Sequence, residues 1–277
     1  MSPSAVRRPA VSGRFYPESA DDLEHEVRRL LEPVLPFAHA ARARAAVAPH
    51  AGYLYSGVTA AHVFARLDLP RAIVVLAPNH TGRCDAEGGV SLWESGAFAT
   101  PLGEVPVDAG LAEAIRAACP LVGVDHGAHT GEHAIEVELP FIQIRRPDAA
   151  IVPLLLAWDV WEAARALGEA LAAVIRRYPE PVLLLASSDL NHYESAAVSE
   201  LKDAQALDAI AALDGAELLR RCRDERISMC GRGPVATVLA AVRALGATAA
   251  EIVDYRHSGW VTGDESSVVG YGGVVIM

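Results

Sequence analysis

Short apolar runs without polar alternation constrain the fold of this chain more than any other feature. They fall at residues 45–48, 72–77, 151–156 and 182–186. Such a run has no polar side to turn to water, so it belongs in a strand covered on both sheet faces. Amphipathic helical patterns lie between and after them. Residues 20–31 begin after Ser19, a capping residue type, and stop before Pro33. Residues 57–67 form a second pattern, and 160–178 place Ala164, Leu167, Leu171, Val174 and Ile175 on one face. That face is expected to bury Leu167, Leu171 and Val174 against the sheet. Residues 134–144, 195–213, 215–222 and 233–245 read as further helices, and 251–255 and 267–276 as late strands. Strands alternating with helices predict an α/β fold, a single domain over residues 1–277, with a central mixed, largely parallel sheet flanked by helices.

The bulk properties exclude several functions. At 52% hydrophobic residues the chain fills a sizeable core, and a formal net charge of -11 argues against a nucleic-acid partner. The four cysteines, Cys84, Cys119, Cys222 and Cys230, show no C-x-x-C spacing, and reduced thiols fit a cytoplasmic protein. The stretch Met1 to Ala10 lacks an apolar signal core. The longest apolar run, 149–158, is about half a membrane span and contains Pro153. No membrane association is expected. The glycines form neither a G-x-G-x-x-G nor a P-loop pattern, so nucleotide binding has no support.

Chemistry gathers where the strands end. Residues 45–48 run into Pro49-His50-Ala51-Gly52-Tyr53, 72–77 into Pro78-Asn79-His80, and 182–186 into Ser187-Ser188-Asp189-Leu190-Asn191-His192. Open α/β sheets bind ligands outside the carboxyl ends of their strands. Three strand ends thus bring His50, His80, Asp189 and His192 toward one crevice. Imidazole is both the commonest metal ligand and the commonest acid/base near neutral pH. Two histidines can hold a metal while another moves a proton, with Asp189 orienting an imidazole, accepting a proton or capping the following helix. Cys230, in Ser228-Met229-Cys230-Gly231-Arg232-Gly233-Pro234, precedes a helix start, a position that either lowers a thiol pKa or leaves a buried inert thiol. A second polar cluster runs from Asp125 through His129 to Glu132 and His133. Glu132 with His133, and Glu136 with Glu138, suggest another metal site, but the spacing does not match H-E-x-x-H, and the milder reading is a loop and helix start lining the same crevice.

Taken in order, Val11-Ser12-Gly13-Arg14-Phe15-Tyr16-Pro17, Ala48-Pro49-His50-Ala51-Gly52-Tyr53, Pro78-Asn79-His80, Glu132-His133-Ala134-Ile135-Glu136-Val137-Glu138-Leu139-Pro140, Ser187-Ser188-Asp189-Leu190-Asn191-His192 and Asp264-Glu265-Ser266-Ser267-Val268-Val269-Gly270-Tyr271 make a specific set. The set resembles the Memo family, including the prokaryotic members called AmmeMemoRadiSam system protein B, over nearly the whole chain. The resemblance implies a fold similar to class III extradiol dioxygenases, non-haem iron enzymes that cleave catecholic rings. It implies His50 and His80 as metal ligands, Cys230 in place of the usual carboxylate ligand, His192 as the acid/base and Asp189 as its neighbouring acid. It further implies a redox-active iron or copper, and a pathway shared with radical-SAM and AMMECR1-like partners. Thiolate for carboxylate alters ligand softness, so dioxygenase chemistry does not follow from the fold. The readings carried forward are a dioxygenase-like, metal-dependent oxidoreductase, a non-catalytic module binding a peptide or metabolite, and a copper-handling protein.

Overall fold

The computed structural model describes residues 5–34 and 43–277. Residues 1–4, part of the stretch expected to lack a signal core, lie outside the described residues. In chain order the elements are β1 (Val6–Arg7), α1 (Ala20–Leu31), β2 (Ala45–Ala48), α2 (Tyr53–Arg66), β3 (Ala72–Pro78), β4 (Val90–Leu92), β5 (Ala97–Thr100), β6 (Gly103–Pro106), α3 (Ala109–Ala118) and β7 (Val122–Val124). There follow α4 (His126–His129), α5 (Leu139–Arg145), β8 (Ala150–Leu156), α6 (Trp161–Ile175), β9 (Val182–Ser187) and β10 (His192–Glu194). The chain closes with α7 (Ala196–Ala211), α8 (Gly215–Asp224), α9 (Arg232–Ala244), β11 (Ala250–His257), α10 (Gly259–Thr262) and β12 (Val268–Ile276).

The architecture is a large mixed sheet flanked by helices, as the alternating pattern predicts. Its strand order is β10-β12-β2-β9-β3-β8-β4-β7, with β11 also paired to β12. The four apolar runs form its parallel centre, β2-β9-β3-β8. Their residues are almost wholly buried, which explains why they carry no polar alternation. Antiparallel pairing of β12 with β2 and of β4 with β8 flanks this centre. Register brings Ala48 opposite Ser187 and Leu76 opposite Ala186, so the carboxyl ends of β2, β9 and β3 lie side by side.

Some expectations are corrected. The helix expected at 57–67 begins earlier, at Tyr53, directly after the His50 turn. The segment 134–144 is a 3-10 turn, Glu136–Glu138, followed by α5, which has Pro140 in its first turn. Leu167 and Leu171 of α6 are buried, but Val174 is half-buried. The main neighbour of α6 is α9, and α9 rather than α6 lies on β3 and β9. Gly168 permits this contact, since a Cβ there would sit 2.7 Å from the carbonyl oxygen of Thr237. The small sheet β1-β5-β6 has strands too short to stand out in the sequence. Ser19 caps α1, its hydroxyl accepting the Asp22 N–H. No helix among the described residues is long and apolar enough to cross a membrane.

Candidate metal centre

The order β2-β9-β3 determines what can meet. His50 follows β2, Ser187 ends β9 between them, and His80 follows β3. His133 arrives from a different direction, on the segment between α4 and the 3-10 turn. Among the described residues, ligand atoms of His50, His80 and His133 lie within 4.8 Å of one another. His50 meets the other two rings edge-on at centroid separations of 5.2 and 5.4 Å, while His80 and His133 stack at 4.8 Å.

An outer layer of oxygens holds these rings. His50 Nδ1 is 2.7 Å from Ser187 Oγ, and that hydroxyl lies 2.7 Å from the Ala134 carbonyl and 2.8 Å from Glu138 Oε1. Glu132 serves both other histidines. Its Oε1 is 2.9 Å from His80 Nδ1 and 3.3 Å from His133 Nδ1, and it accepts the backbone N–H groups of His133 and Ala134. Its Oε2 accepts the His80 N–H at 2.5 Å. With Nδ1 of His50 and His80 hydrogen-bonded to oxygen, and that of His133 beside Glu132, Nε2 is the nitrogen each ring leaves unused by these oxygens. This is the support that metal-bound imidazoles receive.

The Glu132 segment is fastened in turn by the first strand. Arg7, 2% exposed, donates to Glu136 and to the carbonyls of Glu132 and His129. Glu136 also accepts the N–H groups of Ala10 and Val11 and the Tyr16 hydroxyl. Phe15, in the same N-terminal segment, lies edge-on against His133 at 4.9 Å. The motif containing Phe15 and Tyr16 therefore forms a wall of the site.

Electrostatics favour neutral imidazoles at two positions. Burial pushes His50 well below the ordinary histidine range, and the neighbouring His133, His80 and His192 push it further. Burial and His80 lower His133 against the pull of Glu132. At His80 burial opposes protonation, but the hydrogen bond and charge of Glu132 prevail and raise it.

Cys230, Asp189 and His192 adjoin this group. Cys230 Sγ is 3.3 Å from His50 Nε2 and accepts the Asp189 N–H at 3.3 Å. It stands beside His50 and outside the three-histidine group. His133 is thus an alternative third donor to Cys230, which the family resemblance implies. Nor does the helix start produce a low thiol pKa, because burial and Asp189 push the Cys230 thiol up. Gly231 permits the loop's close seat, since a Cβ there would come within 2.4 Å of Ser188 Cβ. Asp189 accepts the His50 N–H at 2.9 Å, so it fixes the backbone of the His50 turn. Burial raises its carboxyl to about 7 despite the N–H groups of His50 and Ala51. The His192 ring is oriented by Ser228, whose carbonyl is 3.1 Å from Nδ1, while Ser228 Oγ accepts the His192 N–H. The expected orientation of His192 by Asp189 is therefore supplied by Ser228 instead. Burial lowers the His192 pKa.

The sequence offers Glu132 and His133 either as another metal site or as part of a loop lining the crevice, and not as members of the His50 and His80 group. Their signal was present in the Glu132-His133 pair, but partnership with His80 depends on a contact across 52 residues.

Fold and site together define a mixed α/β protein with a cluster of histidines at the carboxyl edge of its parallel strands. Comparison narrows the class. The Memo family model, described as Memo-like protein, matches residues 7–275. A MEMO1 family protein of Methanothermobacter thermautotrophicus is 39% identical over 275 residues, covering 96% of this chain and 98% of its own. One from Aquifex aeolicus is 36% identical over 275 residues, covering 98% and 99%. The chain belongs to the Memo family. Its fold is also similar to the crystal structure of an uncharacterized protein from Escherichia coli K12, at 15% identity and TM-score 0.54, covering 84% of this chain and 100% of that one.

Proposed function

We propose that this protein is a metal-dependent redox protein of the non-haem iron or copper type, with His50, His80 and His133 holding the ion. The observation that carries the reading is the convergence of three imidazoles whose Nδ1 atoms are all directed to oxygens. The donor set fits a borderline first-row ion, because neutral imidazole suits iron, copper and zinc. A bound iron or copper would supply one-electron and O₂ chemistry.

The chain's own residues have distinct tasks in this reading. Ser187 and Glu132 keep the imidazoles in the tautomer that offers Nε2. Cys230 lies on the His50 side as a soft donor or a contact for substrate. His192, its Nδ1 held 3.1 Å from the Ser228 carbonyl, would take a proton from substrate at Nε2. Asp189 holds the His50 turn in place and, raised to about 7, can exchange a proton near neutrality. The 3.3 Å contact between Cys230 and His50 favours a second reading, copper handling without turnover. The protein is proposed to act in the cytoplasm. Its proposed pathway partners are radical-SAM and AMMECR1-like proteins.

Anaerobic titration of Fe(II) and Cu(I) into the parent, His133→Ala, Cys230→Ser and Cys119→Ala separates these roles. His133→Ala should lose more than the about 10–100-fold that loss of a supporting hydrogen bond costs. Cys230→Ser should lose less, and Cys119→Ala nothing. Unchanged affinity in His133→Ala would refute the three-histidine site. Cu(I) binding without O₂ uptake on a panel of phenols would favour copper handling.

A further inference from the structure

A cavity of about 760 Å³ lies between the start of α6, α8 and the loop that leads into α9. Its volume falls in the range of small-molecule sites, roughly 300–1,000 Å³. Trp161, Leu219 and Ile227 give it apolar lining, while Arg223, Arg226 and Arg232 contribute guanidinium groups. The carboxylates of Asp159 and Glu162 also line it, but the arginines outnumber them, in a chain of net charge -11.

The arginines are not equivalent. Arg232 is paired with Asp159, and Arg223 with Asp224. The exposed guanidinium of Arg226 has no partner among the described residues. Arg226 sits in the left-handed turn that ends α8, at φ 54, as Leu213 does after α7, and this turn closes with the Ile227 N–H donated to the Cys222 carbonyl.

Ser228 connects this cavity to the metal centre. It lines the cavity, and its hydroxyl and carbonyl hold His192. Cys230 follows two residues later, and Arg232 opens α9.

We propose that this cavity is a separate binding site for a small soluble anion, a phosphate or carboxylate carrying an apolar body, and that its occupant steadies the segment that holds His192 and Cys230. The anion pairs with Arg226 and draws on the unused N–H donors of Arg223 and Arg232, while the apolar body rests on Trp161 and Leu219. Guanidinium suits both anion types because its planar N–H groups match their oxygens. The chain's negative charge disfavours an anionic membrane surface as the source.

Calorimetric titration of the full chain with hexyl phosphate, hexanoate, inorganic phosphate and 1-hexanol tests the site. The two amphiphilic anions should bind more tightly than phosphate or hexanol alone. Arg226→Glu should weaken their binding at least tenfold, whereas Arg165→Glu, an equal charge change on an exposed part of α6, should leave it unchanged. Hexyl phosphate should also slow amide hydrogen exchange over residues 226–232 in the parent and not in Arg226→Glu. Absence of binding to the parent, equal binding to Arg226→Glu, or exchange over 226–232 unaffected by bound hexyl phosphate would overturn the proposal. Both variants alter exposed side chains, and their unfolding curves provide the check on folding.

Discussion

Replacing Glu132 with Gln should weaken metal binding without touching a ligand. The carboxylate accepts His80 Nδ1 at 2.9 Å, the His80 N–H at 2.5 Å, and the N–H groups of His133 and Ala134 at 2.8 and 3.0 Å. Glutamine keeps one acceptor oxygen and turns an NH₂ group toward donors at the other position. At least one buried donor is then unsatisfied, which costs about 1–3 kcal/mol of stability. The His80 and His133 rings also lose the charge that holds them. Loss of such support costs about 10–100-fold in affinity, or about 1.4–2.7 kcal/mol. Anaerobic competition of Fe(II) or Cu(I) against a chromophoric chelator measures this directly. A second readout is the His80 pKa by NMR in the metal-free protein. Glu132 raises it against burial, so Glu132→Gln should lower it. Metal affinity within twofold of the parent, with the His80 pKa unmoved, would refute the assignment of Glu132 as the support of this site.

Leu171→Ala should cost about 2–5 kcal/mol in denaturant unfolding, because Leu171 is fully buried in the main core; a loss near zero would show that the α6 contact is not as described. Gly270→Ala should cost about 3 kcal/mol or more by the same assay, since its Cβ would lie 1.9 Å from Asp203 Oδ2; parental stability would refute the packing of β12 on α7. Burial raises Asp203 to about 6, against the hydrogen bonds from the Asn191 N–H and the Tyr255 hydroxyl. The folded state therefore holds a proton that the unfolded chain releases near pH 4, and this group's contribution to stability falls by about 3 kcal/mol as pH rises through about 4 to 6. Asp203→Asn should remove that fall, so the stability difference between variant and parent should change by about this amount between pH 4 and 7. A constant difference would show that Asp203 titrates normally.

Several features were legible in the sequence for local reasons. The unbroken apolar runs became β2, β3, β8 and β9 because a strand covered on both faces has no use for polar residues. His50, His80 and Asp189 were placed at strand ends because those residues follow the runs directly. Tertiary structure decided which of them meet. The order β2-β9-β3 inserts Ser187 between the His50 and His80 strands, and no local pattern encodes strand order. Glu132 and His133 join only because Arg7 and Glu136 hold their segment against the first strand, across more than a hundred residues of chain. The packing of α6 on α9 was hidden for a similar reason: an apolar face records that a helix is buried, but not whether its partner is a sheet or another helix. The Cys230 thiol depended on burial and on Asp189, which outweigh its place before a helix. The sequence thus determined the types of element and the donors available, through patterns of a few residues. The tertiary structure alone brought His50, His80 and His133 together with the oxygens around them, because those contacts join residues far apart in the chain.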